Sequence, residues 1–312
     1  MDIMITKPIP RKAIWGNTKL KRYFRYCTYP DGIGQSWSFS GQENNANEIV
    51  GGMHKGLNLQ EVWNRYPEYF HSRYTYFPFI IGLVGPEDNL SIQVHPDKGY
   101  AQKKGLLSGK NEAWYFIEAE VGADLVFGNC AQDRAQLKEM VDKKQWNQLI
   151  RRIPVKQDDF VYVPAGMLHA MQKGVITYEV QEATDITYRF YDYDRVNKEG
   201  IKRELHLTDA MESIRYFAED EIQQELPVVE TGNIYECTTY INNESFKIQK
   251  YIFHDDGELV VDEYMLVTII RGEGEVNMHS LRYGESFIIP KGIQTIKISG
   301  KMEWMVTMEG KR

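Results

Sequence analysis

Seven residues in the first two thirds of the chain have the types and spacing to hold a metal ion and stabilise charge: Gln93, His95, Lys110, Glu112, His169, Asp185 and Arg189. Residues 90–95, LSIQVH, alternate strictly, with Leu90, Ile92 and Val94 on one face and Ser91, Gln93 and His95 on the other. Two donors, Gln93 and His95, therefore leave the same face of one strand. Glu112 opens a β-rich aromatic run (112–118) after a loop. His169 follows Pro164-Ala-Gly166, a turn that can aim a side chain inward. Two imidazoles and a carboxylate that converge would bind a divalent ion such as zinc, and a catalytic site keeps one position open for water or substrate. Taken singly, each histidine is more often a core or surface residue than a ligand, so spacing alone leaves both readings open. His54, His71, His206, His254 and His279 have no comparable context and read as structural or surface groups.

Asp185, Thr187 and Arg189 fall at alternate positions of a later strand-like run and would share one face. Asp185 and Arg189 there form either a structural ion pair or a device in which Arg189 faces developing negative charge on a substrate. Lys110, two before Glu112, projects to the same side if the strand has begun by then. On the residues alone it reads instead as a solvated loop lysine beside Gly109.

These residues need a β scaffold, and most of the chain reads as strand. Beyond the runs already named there are 159–163 and 175–191, the latter split into VITYEVQ and ITYRFY by residues 182–185. Helical period is confined to 59–66, with Asn58 as N-cap and Pro67 as stop, to 133–150, and to 207–217. All three read as helices covering a sheet. After about residue 218 the acidic stretch AEDEIQQELPVVETGN suits a linker. Short strands then recur every eight to twelve residues (FKIQKYIF, MLVTIIRGEGEV, ESFIIP, QTIKIS, EWMVTM), which implies a smaller all-β unit. The expected division is a metal-binding domain over 1–225 and a β domain over 226–312.

At 312 residues the chain is comfortable as two domains. A formal net charge of −7 argues against nucleic acid or an anionic membrane as partner, though a local basic site can still take an anionic substrate. Cys27, Cys130 and Cys237 are odd in number and scattered, which points to a reducing compartment. With no apolar leader in MDIMITKPIPRK and no long apolar stretch, the expected location is the cytoplasm.

The segments LSIQVHPDKGYA (90–101), GKNEAWYFI (109–117), VPAGMLHAM (163–171) and YEVQEATDITYRFYDYDR (178–195) closely resemble type I phosphomannose isomerases in their short bacterial form. The resemblance extends to Trp15-Gly16, Ser36-Trp37, Phe77-Pro78 and Arg203-Glu204-Leu205-His206, and so covers most of residues 1–217 in order. That family belongs to the cupins, small jelly-roll β-barrels, so the resemblance implies a mainly β fold of two cupin barrels with a few covering helices. It also implies one zinc ion per chain at Gln93, His95, Glu112 and His169, with Arg189, Lys110 and Asp185 lining the catalytic site. Gly284, Pro290 and Gly292 keep a second G-x5-P-x-G motif, but Gln294 stands where a ligand histidine would be, so the C-terminal barrel is expected to lack metal. The chain departs from the family at Gln35 and Ser38, where acids are usual, at Gly82 for a lysine, and at Met167 for a threonine.

The implied reaction is aldose–ketose isomerisation of mannose 6-phosphate and fructose 6-phosphate through an enediol(ate), with Arg189 facing the enediolate and Lys110 transferring a proton or orienting substrate. Lys98, Lys103, Lys104 and Arg11 are undistinguished candidates for the phosphate. Two other readings stand beside this one. A cupin oxygenase or hydrolase on iron or manganese would leave Gln93 and Arg189 without a part. A non-catalytic or differently specific sugar-phosphate-binding cupin would account for the departures but has less need of Lys110, Asp185 and Arg189 together. Oligomeric state is not legible.

Overall fold

A computed structural model describes residues 1–23, 31–197, 199–217 and 226–311. The core of the expected linker, 218–225, lies outside the described residues, and so does Cys27. The fold is mainly β, in three sheets. The five-stranded sheet runs Ile150–Pro154, Asp124–Asn129, His169–Met171, Ile92–Val94, Tyr188–Tyr191 in spatial order. The seven-stranded sheet runs Phe160–Val163, Glu112–Ala119, Val175–Glu182, Phe79–Val84, Ile33–Gln42, Ile9–Asn17, with Asn45–Ala46 beside Ile33–Gln42. A ten-stranded sheet is built mostly from the C-terminal part of the chain, around the long strands Met265–Val276 and Thr295–Met308.

The seven-stranded sheet is the middle layer, which explains its sequence. Phe79–Val84 (FIIGLV) is buried at every position, so it reads as a continuous apolar run instead of alternating. In Glu112–Ala119, Trp114 and Phe116 join the core shared with the five-stranded sheet. Ala113, Tyr115 and Ile117 join a second core with Ile248, Leu266 and Met305 of the C-terminal unit. Three residues near the start of the sequence also cross over. Met4–Thr6 pairs with Ser286–Ile289 (Met4 opposite Ile288) and with Ile49–Gly52, so an early strand completes the C-terminal sheet.

Helix Leu59–Arg65 begins at Asn58, whose side chain accepts from Glu61 N while Glu61 reaches back to Asn58 N, a reciprocal cap. The helix expected over 133–150 is two, Arg134–Asp142 and Trp146–Leu149, because Lys144 takes φ 54 between them and Ile150 already belongs to a strand. The third ends earlier than its period suggested, at Ser213, where Ile214 leaves in an extended conformation while staying buried. A further helix, Lys98–Lys103, starts at Asp97, whose carboxylate accepts from Tyr100 N. The runs QTIKIS and EWMVTM form one strand, Thr295–Met308. No helix among the described residues is long and apolar enough to cross a membrane.

Candidate active site

The two facing sheets carry the predicted donors toward each other. In the five-stranded sheet, Gln93 lies directly across from His169 on one side and from Arg189 on the other. Opposed residues in a ladder point to the same face, so His169, Gln93 and Arg189 form a row, with His95 two residues along. Gly166 turns the chain toward His169 at φ 87, and its N–H donates to His95 O at 2.9 Å, tying the two ligand-bearing segments together. Glu112 comes from the seven-stranded sheet on the opposite wall, followed inward by Trp114.

His95, Glu112 and His169 are each 1% exposed, and their candidate ligand atoms all lie within 4.8 Å of one another. His95 Nε2 is 3.0 Å from Glu112 Oε1, and His169 Nε2 is 3.4 Å from Glu112 Oε2. None of these contacts has the alignment of a hydrogen bond: both His95 nitrogens, both Glu112 oxygens and His169 Nε2 are buried without a hydrogen-bond partner. Buried polar atoms left unpaired cost about 1–3 kcal/mol each, so a cluster of them calls for a cation in their midst. The orientation of His169 supports this. Its Nδ1 lies 2.8 Å from the Met167 carbonyl, which can only accept, so Nδ1 carries the hydrogen and Nε2 presents its lone pair inward. Burial, with the Lys110 ammonium nearby, pushes His95 down to about 3, which leaves a neutral imidazole able to ligate. Burial alone would raise Glu112, yet the Lys110 ammonium beside it holds it well below the usual carboxylate range. The residues fit a divalent metal.

Lys110 is not the solvated loop residue that its sequence context favoured. It is buried, with Nζ 3.1 Å from Glu112 Oε1. Asp185 also departs from expectation. The strand begins only at Tyr188, so Asp185 and Arg189 do not alternate on one face. Asp185 is exposed in the preceding loop, and no ion pair or hydrogen bond joins it to Arg189. Arg189 instead donates through Nη1 to Glu204 O at 2.9 Å, and its Nε is buried without a partner. Of the basic candidates, Lys104 pairs with Asp209 at 2.6 Å, and Arg11 stacks on Trp37 (4.3 Å to the ring centre) and donates to Asn45. Lys98 and Lys103 are exposed at the start and end of their helix.

Sequence reasoning missed Glu179. It is buried two ladder positions from Glu112, across from Trp114, whose indole N–H donates to it at 3.1 Å. Burial, reinforced by the negative charge of Glu112, pushes it up to about 8. A carboxyl that is protonated near neutral pH inside a site is a candidate proton donor. The signal was hidden because Val175–Glu182 is buried along nearly its whole length. Gly82, one of the departures, lies directly across from both Glu179 and Trp37. A Cβ there would overlap the Ser36 carbonyl oxygen, so any side chain at 82 needs the backbone to move.

Two family models and several known proteins match the chain. The family model for the phosphomannose isomerase type I catalytic domain matches residues 6–123, and that for the mannose-6-phosphate isomerase cupin domain matches 236–309. The chain is 34% identical over 312 residues to a Bacillus subtilis protein named "Probable mannose-6-phosphate isomerase GmuF", covering 97% of this chain and 98% of that one. It is 32% identical over 300 residues to the mannose-6-phosphate isomerase of Streptococcus mutans, covering 94% and 93%. The crystal structure of the mannose 6-phosphate isomerase from Bacillus subtilis superposes with a TM-score of 0.93 at 30% identity, covering 98% of this chain and 99% of that one. The chain is an isomerase of the type I phosphomannose isomerase family.

Proposed function

We propose that the chain interconverts mannose 6-phosphate and fructose 6-phosphate with one zinc ion per chain, held by His95, Glu112, His169 and Gln93. The observation that carries the reading is the set of five buried atoms on His95, Glu112 and His169 that lack hydrogen-bond partners, in a chain whose relatives are named as mannose-6-phosphate isomerases. The reaction carries a proton between C1 and C2 and places negative charge on a former carbonyl oxygen. When bound, zinc supplies Lewis-acid polarisation of that oxygen. Two neutral imidazoles, one carboxylate and one amide carry a single negative charge, so the donor set suits that role.

The chain's own groups do the rest. Arg189 faces the enediolate with a fixed cation. Lys110, buried beside Glu112, orients the substrate or transfers the proton. Glu179, as a carboxylic acid, donates a hydrogen bond or a proton. Asp185, which has no contact with Arg189, is left with a substrate hydroxyl. Residues 1–225, apart from the strands Met4–Thr6 and Ile49–Gly52 that belong to the C-terminal sheet, form the catalytic unit, and 226–312 a unit without ligands. Free thiols at Cys130 and Cys237 suit the cytoplasm.

The test is isomerisation of mannose 6-phosphate by the purified protein, before and after chelation, beside Arg189→Ala and with metal analysis of each sample. Chelator-sensitive turnover, nearly abolished by Arg189→Ala while metal is retained, is the expected result. No turnover by zinc-loaded wild type would sink the substrate assignment.

A further inference from the structure

We propose that His206 is a positioning residue that acts through Arg189, by supplying the hydrogen-bonding edge that Arg189's strand otherwise lacks. This rests on the reading of Arg189 as the cation facing the enediolate.

Tyr188–Tyr191 is the outermost strand of the five-stranded sheet. On its inner side it pairs with Ile92–Val94, and the register breaks between Arg189 and Tyr191. On its outer side, the N–H and C=O of Arg189 would face solvent, as edge groups do. Both are instead taken by one residue. His206 N donates to Arg189 O at 2.8 Å, and Arg189 N donates to His206 Nδ1 at 3.1 Å. The pattern is that of a hydrogen-bonded antiparallel pair in which an imidazole nitrogen stands in for the carbonyl. The same segment adds a third bond, from Arg189 Nη1 to Glu204 O.

His206 also sits at the N-cap of helix Leu207–Ser213, yet its side chain makes no cap hydrogen bond, because its Nδ1 is committed to Arg189. That helix is anchored by buried Ala210 and by Asp209, which accepts from Tyr100 and pairs with Lys104. The imidazole thus ties a fixed helix to the backbone of Arg189. The guanidinium itself is held only through Nη1, by Glu204 O of the same segment, and its Nε has no partner, so its placement depends on where this segment holds the Arg189 backbone.

To accept at Nδ1 the ring must be neutral and carry its hydrogen on Nε2. Asparagine can present Oδ1 at a similar reach, whereas leucine and alanine offer no acceptor. The experiment compares His206→Asn, His206→Leu and His206→Ala in the zinc-loaded full chain, in wild type and in Arg189→Ala, reading kcat, KM for mannose 6-phosphate, bound zinc and Tm. Leucine or alanine is expected to lower kcat by about 10- to 100-fold, the scale of a displaced catalytic group, with KM and zinc content unchanged. Asparagine restores most of the loss. In the Arg189→Ala background His206→Leu adds nothing, since the two act as one unit.

Equal losses for asparagine and leucine, losses that add in the double variant, or an unchanged kcat would overturn the role of His206. Should the leucine variant not yield folded protein, the alanine and asparagine variants decide by the same comparison. Turnover that survives Arg189→Ala would overturn the reading of Arg189 itself, and this inference with it. Loss on Arg189→Ala without loss on His206→Leu would overturn only this one.

Discussion

The two β units enclose interiors of opposite character. The first holds His95, Lys110, Glu112, His169, Glu179 and Gln181, all at 6% exposure or less. The second holds Phe253, Val267, Ile269, Phe287, Met302 and Trp304, among other apolar side chains. The second unit keeps Gly284, Pro290 and Gly292, but Gln294 is exposed, and it is its backbone carbonyl that is used, accepting from Val261 N at 2.9 Å. The turn motif and the ligand chemistry are therefore separable. A turn is kept for backbone reasons, while a donor persists only where its neighbours need it. The apolar unit also buttresses the polar one. Tyr178 Oη meets Thr307 Oγ1 at 2.8 Å across the seam. Lys250 there donates to Tyr115 Oη at 2.9 Å and pairs with Glu303 at 2.9 Å, while Arg271 pairs with Glu303 and Asp158. Tyr115 belongs to the strand that begins at Glu112, so this network braces a ligand-bearing strand from behind.

The contrast should break first at the ligands. Glu112→Gln is expected to lose bound metal and lower turnover on the order of a thousandfold or more, read by metal analysis beside initial rates. Turnover persisting without metal would mean the polar interior is not the site. In the other unit, Trp304→Ala should cost about 3–5 kcal/mol by urea unfolding while leaving turnover per folded molecule as it was. A fall in kcat there would show that the apolar interior does more than support.

A finer test uses Glu179 in the chelated protein. Its folded value is raised to about 8 by burial and the Glu112 charge, against roughly 4.3 for an unfolded glutamate. A carboxyl raised on folding contributes stability that is present below its unfolded value and lost as pH rises through its folded value. Thermal stability of the chelated wild type should therefore decline between about pH 4.5 and 8, and Glu179→Gln should flatten that decline. Equal slopes in the two proteins would remove Glu179 as a raised carboxyl. The smallest expected effect is none: Gln294→His should bind no zinc by equilibrium dialysis, because an exposed side chain over an apolar interior has no partners to ligate with.

What was legible in the sequence follows from range. Asn58 and Glu61 cap a helix within four residues, and Gln93 and His95 share a face through a period of two, so both could be read locally. Lys110 could not, because its burial depends on the opposite wall of the site. Nor could Glu179, hidden in a strand covered on both faces, or the break at Lys144, where helical spacing continued through a turn. Asp185 was misplaced by extending a strand's alternation three residues too far. His206 looked unremarkable because its importance lies in one ring nitrogen meeting a backbone seventeen residues away.

The strand Met4–Thr6 has a consequence in time. Its neighbour on one side, Ile49–Gly52, is available early, but its other neighbour includes Ile288, 284 positions after Met4 (288 − 4). At ~5–20 residues per second of synthesis that partner emerges roughly 15–60 s later. During that interval Met4–Thr6 has only one of its two final neighbouring strands. The seam between the units cannot close before Glu303 and Thr307 have emerged, so the strand bearing Glu112 gains its rear support long after it is made.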